Sequence, residues 1–243
     1  MSVSRREPIF NVPGSVLGLL AVMLAVHLVR EALAEPWYSW VTVALAFVPA
    51  RYTELAAEIP GDPVAEVTSF LSYAFVHADY FHLGINAAWM LVFGGAVAQR
   101  VGSWRFLAFS AVTAIAAAMT FLVFNLGLLA PMIGASGAVS GLMGGTMRFL
   151  FTALDNGGVA ALRETPREIP LMSLSQALID RRVILVTLAF IVANFLGLLG
   201  FGTVSQGGIA WEAHLGGYFA GLFAFGFFDR APTLRSPAWP SAN

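Results

Sequence analysis

Six stretches of this chain, at about residues 12 to 29, 80 to 98, 106 to 124, 136 to 152, 183 to 201 and 211 to 228, are apolar on all sides and nearly free of charge. A hydrocarbon core about 30 Å thick takes about 20 such residues to cross as a helix. None of the six alternates as a barrel strand would. The chain is therefore predicted to be an all-α membrane protein, a polytopic bundle of six transmembrane helices. Composition agrees: 58% of residues are hydrophobic and 11% charged, and a soluble fold of this size has too little interior to hide so much apolar surface. A net charge of -1 with no basic cluster excludes nucleic acid as a partner. The absence of cysteine excludes disulfides, thiol catalysis and thiolate metal sites. All 13 basic residues are arginine.

A seventh apolar stretch, Trp37 to Val48, is too short to cross and is bounded by Pro36 and Pro49. It is expected in the interface, with Trp37, Tyr38 and Trp40 at headgroup level, or dipping into the bilayer. Arginine placement orients the bundle. Arg5 and Arg6, Arg100 and Arg105, Arg163, Arg167, Arg181 and Arg182, and Arg230 and Arg235 fall on one side, whereas only Arg30 and Arg51 fall on the other, among Glu31, Glu35, Glu54 and Glu58. The positive-inside rule then makes both termini cytoplasmic, as suits a multi-pass protein of a bacterial inner membrane. This gives a membrane domain at 12–229 between cytoplasmic tails at 1–11 and 230–243. Arg5 and Arg6, the following apolar run and Ala32-Leu33-Ala34 also fit a removable signal peptide, which would leave the other spans oriented as before. The polar segment from about Asp155 to Asp180, interrupted by Gly157-Gly158, Pro166 and Pro170, is expected to be a tether.

Polar side chains inside a span are expensive and mark function or interhelical bonding. His82 and Asn86 share one face of the second span. Ser136 opens the fourth, within Gly134-Ala135-Ser136-Gly137, and His214 lies one turn into the sixth. These three helices all run inward from the outer face, so their first turns lie at one depth and the four residues can meet in an outward-facing pocket. Gly137, Gly141 and Gly145 on the fourth span, with Gly217 and Gly221 beside His214 on the sixth, form small-residue stripes that let backbones approach closely. The chemistry such a pocket suits is acyl transfer. Ser136 would be the nucleophile, His214 the general acid/base, and the Ser136 N–H with His82 and Asn86 the oxyanion donors. No carboxylate is placed to orient His214, which predicts a dyad, and Glu212 faces away from it. No metal or cofactor is expected. His27 and Asn194 have no partner that the sequence can assign. His77, five residues before His82, is off that face and open to an interfacial or substrate-contacting role. Ser140, a turn deeper than Ser136, lacks the helix-start amide.

With these residues in place, the chain resembles the rhomboid family of intramembrane serine proteases. The motifs are His77-Ala-Asp-Tyr-Phe-His82-Leu-Gly-Ile-Asn86, Gly134-Ala-Ser136-Gly137 and His214-Leu-Gly-Gly217-Tyr-Phe-Ala-Gly221, in the order and on the helices of a rhomboid core. The resemblance implies a bundle of rhomboid type with an interfacial first loop, a Ser136 nucleophile, a His214 base and an oxyanion pocket including His82 and Asn86. It implies transmembrane-protein substrates, cleaved near the outer edge of their helices within the lipid bilayer. Gln99 stands where many relatives carry glutamate, and Ser140 where an aromatic residue often packs on the catalytic histidine. Access for substrate is expected beside the fifth helix, past Phe190, Phe195 and Leu198, with the Ser205 to Ile209 loop as a cap. The rival reading is a catalytically inactive rhomboid-like protein that binds membrane clients.

Overall fold

The computed structural model describes residues 12–61, 63–199 and 210–230. Among them the chain is helical, with one isolated antiparallel bridge between Phe47 and Met132. The helices are α1 (Gly14–Glu31), α2 (Trp37–Leu45), α3 (Val64–Ser72), α4 (Tyr80–Trp89), α5 (Gly95–Val101), α6 (Ser103–Phe124), α7 (Ser136–Met147), α8 (Leu150–Glu164), α9 (Leu174–Ile179), α10 (Arg181–Leu198) and α11 (Trp211–Phe228). A π-helical turn at Met90–Gly94 joins α4 to α5, making one rod from Tyr80 to Val101. Among the described residues, four rods are long and apolar enough to cross a bilayer: α1, α4 with α5, α6, and α10.

The remaining two, α7 and α11, complete the bundle from its centre. Ten of the twelve residues of α7 are buried, and at about 1.5 Å per residue it is only about 18 Å long. Protein surrounds it, so it need not match the hydrocarbon thickness. α11 begins with Trp211-Glu212-Ala213-His214, which lowers its mean hydropathy. The fourth span accordingly ends at Met147 instead of near residue 152. The reason is Arg148, whose guanidinium is buried and donates to the carbonyls of Met172 and Leu222.

Close packing of α7 on α11 follows from glycine. A Cβ on Gly217 would overlap the Gly137 carbonyl, one on Gly221 the Gly141 carbonyl, and one on Gly144 the Tyr218 carbonyl. On the far side of α7, a Cβ on Gly137 would lie 2.6 Å from Ala117 Cβ, and one on Gly141 would overlap Thr113, both on α6. α7 and α11 thus meet backbone to backbone, and α6 packs its Thr113 and Ala117 side chains into the glycine side of α7, the close approach that small residues permit in lipid.

Two expectations about loops change. The segment after α7 is no simple tether: it forms α8 and α9, with a break at Gly157 and Gly158, and Ile169, Leu171 and Met172 are buried in the bundle. Arg100 holds it in place by donating to the Pro166 and Ile169 carbonyls, and pairs at 2.7 Å with Asp229 beyond the end of α11. Farther out, the Arg182 guanidinium hydrogen-bonds both Asp155 carboxylate oxygens and holds that carboxyl below its ordinary range. The second change is α3, which lies in what read as an acidic outer loop. Nine residues are too few to cross; Ala65 and Ser69, one turn apart, are buried, and Phe70 packs on Phe47.

The first loop behaves as the tryptophans suggest. No residue of α2 is fully buried, and Trp37 and Trp40 are exposed. Beneath α2, Arg30 is buried and donates to Thr42 Oγ1, Tyr38 Oη and the His77 carbonyl, while Arg51 donates to the Val43 and Pro60 carbonyls. Replacing Gly221 by Ala should destabilise the folded protein by about 1–3 kcal/mol through overpacking, whereas Gly18→Ala, with open space at its Cβ, should be neutral or stabilising. Denaturation in mixed micelles compares the two directly.

Candidate active site

α7 begins at Ser136 because the chain before it is pinned from three directions. Met132 exchanges two backbone hydrogen bonds with Phe47, at 3.0 and 2.8 Å. The Gly134 N–H donates to the Tyr73 carbonyl at 3.0 Å, and the Ala135 N–H points to His77 Nε2 at 3.4 Å. Tyr73 is itself tied down through its hydroxyl, which donates to the Ala114 carbonyl of α6. Gly134 takes φ +108°, and a Cβ there would stand 2.7 Å from the His82 ring. Glycine is thus required both by the backbone and by its neighbour.

His214 comes to Ser136 on the glycine-packed face of α11. Its Nε2 is 2.7 Å from Ser136 Oγ, and its Nδ1 is 2.7 Å from Asn194 Oδ1. Gly217 and Gly221 continue that face against α7. Glu212 turns the other way and accepts from Asn125 Nδ2 at 3.1 Å.

α4 supplies the opposite wall. Asp79 caps it by accepting the His82 N–H at 2.7 Å. His82 Nδ1 faces the Ala78 N–H at 3.4 Å, so the ring proton resides on Nε2, on the Gly134 side. Asn86 is buried and donates from Nδ2 to the His82 carbonyl at 2.9 Å; the same nitrogen lies 3.8 Å from where a Gly134 Cβ would be. His82 and Asn86 therefore converge on the residue two places before Ser136.

Other histidines are placed differently. His77 is fully buried below the loop, its ring centroid 5.2 Å from that of His82 and its carbonyl bonded to Arg30, so it supports the wall and does not face the interface. His27 is also fully buried, edge-on to Tyr80 at 4.5 Å. Among the described residues, no cluster of His, Asp and Glu is arranged to hold a metal ion.

The residue that sequence reasoning missed is Asn194. It lies one turn from the C-terminal end of α10, level with His214 in the first turn of α11. Matching the last turns of outward helices to the first turns of inward ones would have found it. Of the side chains expected to line a substrate path, Phe195 and Leu198 are exposed, but Phe190 stacks on Tyr218 at 4.9 Å. The Ser205 to Ile209 cap lies outside the described residues.

A family model for the Rhomboid domain matches residues 64–230. The chain belongs to the rhomboid family. Similar curated proteins include the mitochondrial Rhomboid protein 1 of Saccharomyces cerevisiae, 32% identical over 98 residues, or 39% of this chain and 28% of that one. Another is the Rhomboid protease GlpG of Salmonella typhi, 26% identical over 131 residues, or 53% of this chain and 39% of that one. The matched regions thus span well under half the length of these relatives. Family membership and the apolar helices make this an integral membrane protein with a helical rhomboid bundle.

Replacing Gly134 by Ala should cost at least about 1–2 kcal/mol from the left-handed backbone alone and should displace the His82 ring. Thermal denaturation and the His82 side-chain NMR resonances report the two effects separately.

Proposed function

We propose that this rhomboid-family protein is an intramembrane serine endopeptidase that cleaves transmembrane-protein substrates near the outer edge of their helices. The observation that carries the reading is the 2.7 Å approach of His214 Nε2 to Ser136 Oγ, at the start of a buried helix. In the reaction, Ser136 Oγ attacks the scissile carbonyl carbon as its proton passes to His214 Nε2. The carbonyl oxygen becomes an oxyanion, stabilised by donors fixed beforehand: the Ser136 N–H at the α7 N-terminus, His82 Nε2–H and the second N–H of Asn86 Nδ2. His214 then protonates the leaving amine. Water, activated by the same ring, hydrolyses the acyl-enzyme and restores the hydroxyl.

The remaining parts of the reading follow from the surroundings. A helical peptide in lipid keeps its carbonyls hydrogen-bonded, so the substrate must unwind to present one at Ser136. α10, with Val192, Phe195 and Leu196 exposed to lipid, borders the path by which it arrives. The two arginines that break the charge asymmetry, Arg30 and Arg51, are buried and bonded to the first loop. They act as structural ties and not as free loop charges. Both termini are accordingly assigned to the cytoplasm, with short tails at 1–11 and 230–243 flanking the membrane domain at 12–229, in a bacterial inner membrane.

The test is purified protein in lipid vesicles, given a serine-directed fluorophosphonate and a panel of single-span substrates. Wild type should label and cleave, and Ser136→Ala should do neither. His82→Ala and Asn86→Ala should each lower kcat by about 100- to 1,000-fold, the usual effect of removing one oxyanion donor. Wild-type protein that binds the substrates yet neither labels nor cleaves would establish the client-binding reading instead.

A further inference from the structure

We propose that Asn194 is a positioning residue for His214, fixing the imidazole tautomer in which Nε2 is the free base that faces Ser136. The inference rests on the Ser136–His214 reading and adds a third member that neither the motifs nor the family match assigns.

The direction of the hydrogen bonds carries it. Asn194 Nδ2 lies 2.8 Å from the Phe190 carbonyl, one turn back on α10. A carbonyl only accepts, so the nitrogen end of the amide must face Phe190 and the oxygen end must face His214. Asn194 Oδ1 also only accepts, so His214 Nδ1, 2.7 Å away, must carry the ring proton. A neutral imidazole with its proton on Nδ1 has its lone pair on Nε2, and Nε2 is the atom 2.7 Å from Ser136 Oγ. The chain of donors thus runs one way, from the Ser136 hydroxyl to Nε2, then from Nδ1–H to the amide oxygen, with the amide nitrogen anchored on backbone. Reversing the amide would set two acceptors against each other at Phe190. Reversing the imidazole would set Nδ1 and Oδ1 lone pairs face to face and leave Nε2 holding a proton, unable to take one from serine.

Burial distinguishes Asn194 from its neighbours. It is 5% exposed, while Val192, Phe195 and Leu196 on the same turns are 43–55% exposed to lipid. A second polar contact between the helices provides an internal comparison. Thr187 Oγ1 lies 2.7 Å from the Tyr218 hydroxyl two turns deeper, where it joins α10 to α11 without touching His214.

The experiment compares wild type, Asn194→Leu, Asn194→Asp and Thr187→Val in lipid vesicles. It reads the fluorophosphonate labelling rate, kcat and KM on a single-span substrate, and the 15N resonances of the His214 ring. Asn194→Leu should slow labelling and lower kcat by roughly 5- to 150-fold, the effect of leaving a buried donor without an acceptor, with KM unchanged. Asn194→Asp keeps an acceptor but adds a buried charge, so it should label and cleave at rates between those of Asn194→Leu and wild type. Thr187→Val should label and cleave as wild type does, and the wild-type ring should be protonated at Nδ1. Labelling by Asn194→Leu at the wild-type rate overturns the proposal, as does an equal loss in Thr187→Val or a wild-type ring protonated at Nε2. If Asn194→Leu does not fold, the wild-type 15N spectrum decides alone on the same criterion. Absence of labelling in wild type is the separate failure of the protease reading.

Discussion

Where Gly137, Gly141 and Gly144 on α7 meet Gly217, Tyr218 and Gly221 on α11, one backbone lies against the other with no side chain between them. The 2.7 Å approach of His214 to Ser136 depends on that contact. Glycine in a helix interior is unfavourable by about 1 kcal/mol relative to alanine, and α7 carries it at 137, 141, 144 and 145. In lipid, where helices gain nothing from hiding apolar surface from water, close van der Waals packing offsets the penalty. A serine has a short side chain, and so its hydroxyl can reach an imidazole on another helix only when the two axes come this near. The residue before Gly137 and the residue one turn before Gly217 are the two that benefit.

Depth and orientation come from a different part of the chain. The strand-like residues 132–135 hang from Phe47, Tyr73 and His77, so the start of α7 is set by the first loop and by the end of α3. That loop is in turn fastened from below by Arg30 and Arg51. At the opposite end of the bundle, Arg100 and Arg148 perform the corresponding task, tying the segment after α8 to α5, α7 and α11. Each of these guanidiniums reaches at least two separate partners in a buried setting. A planar fork with five donors does this, and the point charge of a lysine does not. The exclusive use of arginine thereby acquires a physical reason at these four positions.

The sequence made the spans legible because lipid leaves so few alternatives: long apolar runs, helical period and charge asymmetry all point to one bundle. Five of the six expected spans agree with the observed helices to within three residues at each end. The fourth differed because α7 is solvated by protein, so neither its length nor its polarity obeys the bilayer rule, and a buried arginine ends it. Ser136, His214, His82 and Asn86 were legible as a group from helix direction and depth alone. Asn194 was not, because depth was matched only among first turns of inward-running helices. α3 and α8 escaped for a simpler reason: short amphipathic helices in loops leave no signal beyond composition.

A neutral amide is well suited to the place Asn194 occupies. A carboxylate there would have to be held ionised within the apolar part of the bundle, and charge in that setting is penalised unless it is fully paired. In the proposed reaction its counterpart would be the His214 imidazole, which must be neutral to act as a base. An amide avoids that conflict. It accepts the Nδ1 proton, keeps the ring from turning, and adds no charge that would favour the protonated imidazole before the substrate arrives. It also sits on α10, whose surface is mostly turned to lipid. The orientation of the His214 ring is therefore tied to the most lipid-facing of the candidate spans, and any displacement of α10 that lengthens the amide contact loosens the ring before it disturbs Ser136.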